Sequence, residues 1–133
     1  MKIVMANGCF DGIHVGHMIH LKQAAAMGTR LVVAMTSDET VRKEKGWFRP
    51  VFNQKERAEH LLSLKFVDQV IVVSGISDAL RKIEFDVFVK GPDYRVDTID
   101  DETLFYCTSN QKDIKFTNGP KFSSTALLSQ IFK

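Results

Sequence analysis

Short apolar runs alternate along the chain with longer segments in which apolar residues recur at helical spacing. The apolar runs predict buried strands at residues 2–6, 30–37, 68–74, 85–91 and 113–117. The other segments predict helices at residues 15–28, 53–64, 76–84, 98–110 and 123–132, and a short helix followed by a loop in the charged segment 38–50. Asn53 is a candidate N-cap, because Glu56 follows it at the spacing of a capping box.

Strands that alternate with helices predict βαβ units. The expected fold is therefore α/β, with a parallel five-stranded sheet and helices on both faces. Ligands of such sheets bind at the carboxyl ends of the strands, near the point where the strand order reverses. Residues 7–17, 36–50, 89–94 and 118–125 follow strand ends, so a functional site is expected in these segments.

Two histidines stand at the first of these strand ends. His14 precedes the predicted helix and His17 lies in its first turn, so both rings are expected at the helix mouth, where free N–H groups and the helix dipole attract anions. Gly12 and Gly16 carry no side chain, so a ligand can approach the backbone closely. This combination favours a phosphate site with two additional donors. A metal site is less favoured because no third ligand follows at suitable spacing, and the structural alternative is a helix cap with incidental histidines.

Length and composition narrow the possibilities further. The 133 residues suit a single domain over residues 1–133, and a net charge of +2 gives no argument for nucleic acid as a partner. No long apolar run is present, so neither a signal peptide nor a membrane partner is expected. Cys9 and Cys107 form no CxxC pair, which favours a reduced, cytoplasmic protein.

One stretch also carries a family resemblance. "GCFDGIHVGH", residues 8–17, resembles the GxFDxxHxGH signature of the cytidylyltransferase-like nucleotidyltransferases, a family with a Rossmann-like fold. Over the whole chain, "KGWFRPV", "QKERAEHL", "FDVFVKGPDY" and "FSSTALL" are similar to the adenylyltransferase domain that makes ADP-heptose from heptose 1-phosphate. The glycerol-3-phosphate cytidylyltransferases are similar too, but "RPV" and "VKGxDY" look closer to the heptose enzymes.

The resemblance implies a reaction. A nucleoside monophosphate passes from a nucleoside triphosphate, with ATP favoured, to a sugar 1-phosphate such as heptose 1-phosphate, and pyrophosphate is released. Such catalysis needs positioning and charge stabilisation rather than a general base, because the acceptor is already an anion. Mg²⁺ on the triphosphate is the expected cofactor and a homodimer the expected assembly. The alternatives are a cytidylyltransferase acting on glycerol 3-phosphate or another small alcohol phosphate or phosphonate, and a non-catalytic nucleotide-binding module.

The resemblance also implies roles for individual residues. His14, His17 and Lys45 are expected to be catalytic, with Lys45 in a flap over the triphosphate. The residues expected to bind the nucleotide are Gly8, Cys9, Phe10, Asp11, Gly16, Arg57, Lys90, Gly91, Asp93, Ser123, Ser124 and Thr125. The residues expected to bind the acceptor are Lys65, Trp47 and Arg49.

Several of these residues have a structural alternative. Phe10 also suits the core, and Asp11 also suits a cap of the turn. Arg57 and Lys65 are otherwise ordinary surface charges. Trp47 and the residue after it are otherwise expected to pack against the core or a partner subunit.

Three further features complete these expectations. The hydroxyls at 123–125 are otherwise a plain helix N-cap. Pro92 stands where relatives carry a glycine, and Lys121 precedes the hydroxyls where several relatives place Arg or Gly. His20 lies three residues beyond His17 and is expected away from the helix mouth.

Overall fold

A parallel sheet of five strands forms the centre of the structure. The computed structural model describes residues 1–91 and 98–118. The strands are β1 (Ile3–Gly8), β2 (Arg30–Thr36), β3 (Gln69–Val73), β4 (Val87–Lys90) and β5 (Asp113–Phe116). The helices are α1 (Val15–Ala25), α2 (Asp38–Lys45), α3 (Gln54–Leu62), α4 (Ile76–Lys82) and α5 (Asp101–Ser109). The order is β3-β2-β1-β4-β5 and every neighbouring pair is parallel, which confirms the predicted α/β, Rossmann-like fold.

The pleat of β1 divides its side chains between two cores. Val4 packs on one face, in a cluster that includes Leu21 of α1 and a leucine of α3. Met5 packs on the other face, in a cluster that includes Leu80 of α4 and a cysteine of α5. The helices therefore cover both faces, as strands without polar alternation require.

Among the boundaries that differ from the sequence prediction, two lie beside the histidine turn or its helix. β1 continues to Gly8, because Asn7 and Gly8 still pair with β2. α1 ends at Ala25, before Gly28, which was expected to stop it. Gly28 is instead required by packing, since a Cβ there would lie 2.5 Å from the carbonyl oxygen of Lys2.

The predicted start of α3 is confirmed. The Asn53 side chain accepts from the Glu56 N–H at 2.9 Å, and the Glu56 carboxylate accepts from the Asn53 N–H at 3.1 Å. This capping box fixes where the chain enters α3. The helix predicted at 123–132 lies outside the described residues.

The strand order reverses between β1 and β4. These strands are neighbours, but α1 packs on one face of the sheet and α5 on the other. The ends of β1, β2 and β4, at Gly8, Thr36 and Lys90, lie along one edge of the sheet. This carboxyl edge is where the topology predicts a ligand.

Candidate active site

The turn from β1 into α1 is closed by its own two histidines. His14 is the N-cap of α1, and its Nδ1 accepts a hydrogen bond from the Gly16 N–H at 3.0 Å. The Nδ1 of His17 accepts from the His14 N–H at 3.2 Å, so the pair forms a reciprocal capping box. The rings stack with centroids 3.9 Å apart and planes inclined by 26°. Capping therefore occupies the Nδ1 atoms and leaves both Nε2 atoms to face a ligand.

These hydrogen bonds fix the tautomer of each neutral ring. A ring nitrogen that accepts a hydrogen bond carries no proton, so the proton of the neutral ring lies on Nε2. Burial, followed by the charges of the neighbouring His14 and His20, lowers the pKa of His17 to about 4. His17 is therefore neutral at pH 7 and offers one Nε2–H donor rather than a positive charge.

Phe10 supports the histidine pair from the core side. It is buried, and its ring meets His17 edge-on with centroids 5.4 Å apart. Its backbone has a φ of 52°, an uncommon value for a large residue. A Cβ on Gly8 would lie 2.8 Å from the Phe10 ring, so Gly8 is needed to seat that ring. The core interpretation of Phe10 is thus confirmed, and Gly8 has a packing role whether or not it meets a ligand.

A cavity of about 370 Å³ opens beside the histidines at the carboxyl edge. Its lining residues are Cys9, Phe10, Asp11, Gly12, His14, His17, Lys45 and Arg49. Lys45 is the last residue of α2 and is exposed, so a different element from the histidines brings a cation to the cavity lining. Donors and cations that surround one concave space suit a polyanionic ligand.

Asp11 anchors the segment that follows Lys45. Its carboxylate accepts from the N–H groups of Val51 at 2.8 Å and Phe52 at 2.9 Å, and from Arg49 Nε at 3.1 Å. Burial raises the pKa of Asp11, but these hydrogen bonds outweigh burial and hold the pKa below its ordinary value. The Asp11 side chain is only 2% exposed. Asp11 therefore holds the 49–52 segment, which neither the capping nor the ligand-binding expectation described.

Arg57 is not a surface charge. The residue is fully buried. Its guanidinium donates to the carbonyl oxygens of Phe52, Cys9 and Thr36 at 3.0, 2.8 and 2.8 Å, and to the Asp38 carboxylate at 2.7 Å. The side chain thus holds the ends of β1 and β2 together, and its nucleotide contact stays a prediction.

A second polar group lies where β1 and β4 meet. Lys90 Nζ donates to Asn7 Oδ1 at 3.2 Å, and burial lowers the pKa of Lys90, a shift that Asp100 partly opposes. The Nδ1 of His20 lies 2.8 Å from Thr117 Oγ1. Burial, followed by the charge of Lys90, lowers the pKa of His20. His20 thus connects α1 to the residue that follows β5, and it does not line the histidine cavity.

Sequence reasoning did not identify Asn7 or Thr117. Asn7 is a polar residue inside a buried strand, directly before the glycine that ends it, and this is a usable signal. Thr117 is 2% exposed, and its contact with α1 depends on the order of the strands, which no local pattern reveals. Gly91 follows Lys90, and a Cβ there would meet open space, so the surface beside it is accessible.

Some predicted site residues are not brought to the cavity. Lys65 lies in the connection that enters β3, where Asp68 bonds Leu31 at the start of β2. This is the amino edge of the sheet, opposite the histidines. Asp93, Ser123, Ser124 and Thr125 lie outside the described residues.

No cluster of three or more His, Cys, Asp or Glu residues suited to a metal ion occurs within residues 1–91 and 98–118. The cavity carboxylate Asp11 already accepts three hydrogen bonds from residues 49–52. In the same described residues, no helix is both long and apolar enough to cross a bilayer.

A neighbouring cavity of about 390 Å³ differs in chemistry. Its lining residues are Gly12, Ile13, Met18, Phe52, His60, Ser63 and Leu64. Met18 of α1 is exposed there. Since no Lys or Arg among the described residues lines this cavity, it suits an anion less well than the histidine cavity does.

Comparison with known proteins agrees with this geometry. Residues 5–128 match the family model described as cytidylyltransferase-like. The bifunctional protein HldE of Wolinella succinogenes is 46% identical over 95 residues, which cover 70% of this chain and 20% of that protein. The HldE protein of Shewanella amazonensis is 38% identical over 133 residues, which cover 98% of this chain and 28% of that protein. The chain thus spans less than a third of the length of these curated relatives.

Two solved structures are similar to this chain in fold. A lipopolysaccharide core biosynthesis protein from Thermoplasma volcanium superposes with a TM-score of 0.75 at 26% identity, covering 91% of this chain and 99% of that one. A protein of unknown function from Archaeoglobus fulgidus superposes with a TM-score of 0.67 at 18% identity, which supports the fold alone. The family match extends from within β1 to beyond β5, and the chain therefore belongs to the cytidylyltransferase-like family of nucleotidyltransferases.

Proposed function

We propose that this chain transfers a nucleoside monophosphate from a nucleoside triphosphate to a sugar 1-phosphate and releases pyrophosphate. The observation that carries the proposal is the capped histidine pair, whose oriented rings line the same cavity as Lys45. ATP is the favoured donor and heptose 1-phosphate the favoured acceptor, because the family resemblance is stronger to the heptose enzymes. The Thermoplasma protein, named for lipopolysaccharide core biosynthesis, supports a carbohydrate acceptor.

The reaction requires no proton abstraction. An acceptor phosphate oxygen forms a bond to the α-phosphorus, the bond between that phosphorus and the α–β bridging oxygen breaks, and its electron pair leaves with pyrophosphate. Negative charge then grows on the phosphoryl oxygens. The Nε2–H groups of His14 and His17 are fixed donors for these oxygens, and Lys45 compensates their charge from the end of α2.

The histidines do not need to be charged for this role. His17, with a pKa of about 4, is a neutral donor at pH 7. Its orientation is set by the capping hydrogen bond, so little reorganisation is required when the charge develops. Mg²⁺, when bound to the triphosphate, supplies charge neutralisation on the phosphate oxygens. In this proposal, Lys90 and Gly91 lie beside the bound nucleotide at the carboxyl edge of the sheet. The proposed assembly is a homodimer, and the proposed location is the cytoplasm.

The test is product identification with defined substrate pairs. The protein is incubated with ATP or CTP and with heptose 1-phosphate, hexose 1-phosphates or glycerol 3-phosphate, while pyrophosphate release is followed and products are identified by mass. We expect an ADP-sugar. CDP-glycerol alone would reassign the protein to the glycerol-phosphate branch. Nucleotide binding without pyrophosphate release from any pair would favour the non-catalytic module.

A further inference from the structure

Two large aromatic side chains are exposed beside the candidate active site. Trp47 is 85% exposed and Phe48 is 65% exposed, so the expectation that they pack against the core is wrong. They lie between Lys45 and Arg49, and both of these residues line the cavity. Trp47 does not itself line the cavity, but it lies two residues from Lys45 and two from Arg49, which do.

The backbone that carries these rings is held from both sides. Gly46 ends α2 with a φ of 108°, and its N–H bonds the Arg42 carbonyl at 2.9 Å. A Cβ on Gly46 would lie 3.2 Å from the Phe48 ring, so this ring covers the glycine. On the other side, Arg49 is bonded to the buried Asp11 carboxylate. The exposed rings are thus carried on an anchored segment.

Phe48 also orients its neighbour. The Trp47 and Phe48 rings meet edge to face, with centroids 6.1 Å apart and planes at 90°. Aromatic pairs favour this geometry. Trp47 consequently presents a large, restrained apolar surface to solvent, on the segment that supplies Lys45 and Arg49 to the cavity.

We propose that Trp47 is the residue that selects a ring-bearing acceptor, by packing against the C–H face of the sugar while the sugar's phosphate binds Lys45 and Arg49. This inference rests on the proposed function and narrows its acceptor. In a sugar 1-phosphate the ring is bonded directly to the phosphate, so the groups that bind ring and anion must be neighbours. Two residues of chain span at most about 7 Å, and Lys45, Trp47 and Arg49 follow one another at that spacing.

The alternatives fit these observations less well. In a nucleoside triphosphate the ribose separates the base from the phosphates, so a base contact would be expected further from the cations. Glycerol 3-phosphate has no ring to cover an indole. A second copy of the chain would account for the exposed rings but not for the cations on either side of them.

Trp47 is the single tryptophan of the chain, so its fluorescence reports this site alone. The protein is titrated with heptose 1-phosphate, glucose 1-phosphate, glycerol 3-phosphate and inorganic phosphate, with and without a non-hydrolysable ATP or CTP analogue. We expect a saturable emission change with a sugar 1-phosphate and none with glycerol 3-phosphate or phosphate. An equal response to all four, no response, a response to the nucleotide analogue alone, or a change with protein concentration alone would each overturn the proposal.

Kinetics give an independent measurement with a matched control. Trp47→Ala should raise the KM for the sugar 1-phosphate about tenfold and leave the KM for the nucleotide unchanged. Trp47→Phe should recover most of the loss. Phe105→Ala is the control, because Phe105 is 74% exposed on α5 and does not line the cavity. An equal effect of Trp47→Ala on both substrates would overturn the proposal. The titration needs no turnover, so it separates failure of this inference from failure of the proposed reaction.

Discussion

One cavity is lined both by the turn between β1 and α1 and by the connection between α2 and α3. The two segments are stabilised by different kinds of hydrogen bond. In the turn, the Nδ1 atoms of His14 and His17 accept hydrogen bonds from backbone N–H groups of the same turn, those of Gly16 and His14. In the connection, the backbone N–H groups of Val51 and Phe52 are satisfied by Asp11 of the turn. The histidine rings are therefore oriented by the backbone of their own turn. The connection is held by a carboxylate of that turn, and its large side chains Trp47 and Phe48 stay exposed.

The largest effect should come from removing the imidazole donors without breaking the turn. Asn at position 14 and Gln at position 17 preserve the residue types of a capping box. The variants His14→Asn and His17→Gln should therefore fold normally and lose on the order of 10²–10³ in kcat, because each lacks one oriented donor. Pyrophosphate release and thermal unfolding are measured together. Activity within about threefold of wild type for both variants would contradict the assignment.

The next effect should come from separating the connection from the turn. Asp11→Asn replaces an acceptor of three hydrogen bonds by an amide whose NH₂ group would face other donors. The expected loss of unfolding free energy is about 1–3 kcal/mol, measured in urea. Hydrogen exchange at residues 49–52 should rise while exchange at the start of α1 does not. The control is Asp78→Asn, which alters a hydrogen-bonded carboxylate at the start of α4. Equal exchange at residues 49–52 in the two variants would show that Asp11 does not anchor this segment.

A smaller effect is expected from pH. The pKa of His17 lies at about 4 in the folded protein, below its ordinary value of 6.5, so the unfolded chain binds the proton first. The His17 contribution to stability is thus fully present above pH 6.5 and is lost as the pH falls towards 4. His14 and His20 also act on the His17 ring, and burial lowers the pKa of His20 as well. The wild type must therefore be compared with His17→Gln, which removes the titration of His17 alone. The melting temperature of wild type should fall more steeply than that of the variant across this window; parallel curves would show that His17 does not titrate in this way.

The smallest catalytic effect should come from His20. Its ring bonds Thr117 and does not line the cavity. His20→Ala should therefore change kcat by no more than about twofold. It should still lower stability by about 1 kcal/mol, because a buried hydroxyl loses its partner. A large loss of kcat with unchanged stability would show that His20 belongs to the catalytic site.

The sequence was sufficient for the fold and for the histidine pair because both are encoded locally. Buried strands appear as apolar runs, and the capping residues of α1 and α3 lie within one turn of each other. The roles of Asp11 and Arg57 were not predictable from local patterns. The partners of Asp11 lie 38 or more residues away in sequence, and those of Arg57 lie up to 48 residues away. A charged residue has no sequence pattern that distinguishes a buried anchor from a ligand contact. Lys65 shows the same limit, because only the direction of α3 reveals that it lies at the amino edge.

The buried guanidinium of Arg57 has a consequence for how the molecule opens. It joins the residue that follows β1, the last residue of β2, the first residue of α2 and the approach to α3 through one planar group. None of these segments can separate from the others without stranding a buried charge. The carboxyl edge should therefore behave as one cooperative unit in native-state exchange, with amides beside Cys9, Thr36 and Phe52 sharing a single opening free energy. Amides at the entrance to β3, which have no such common anchor, should open separately.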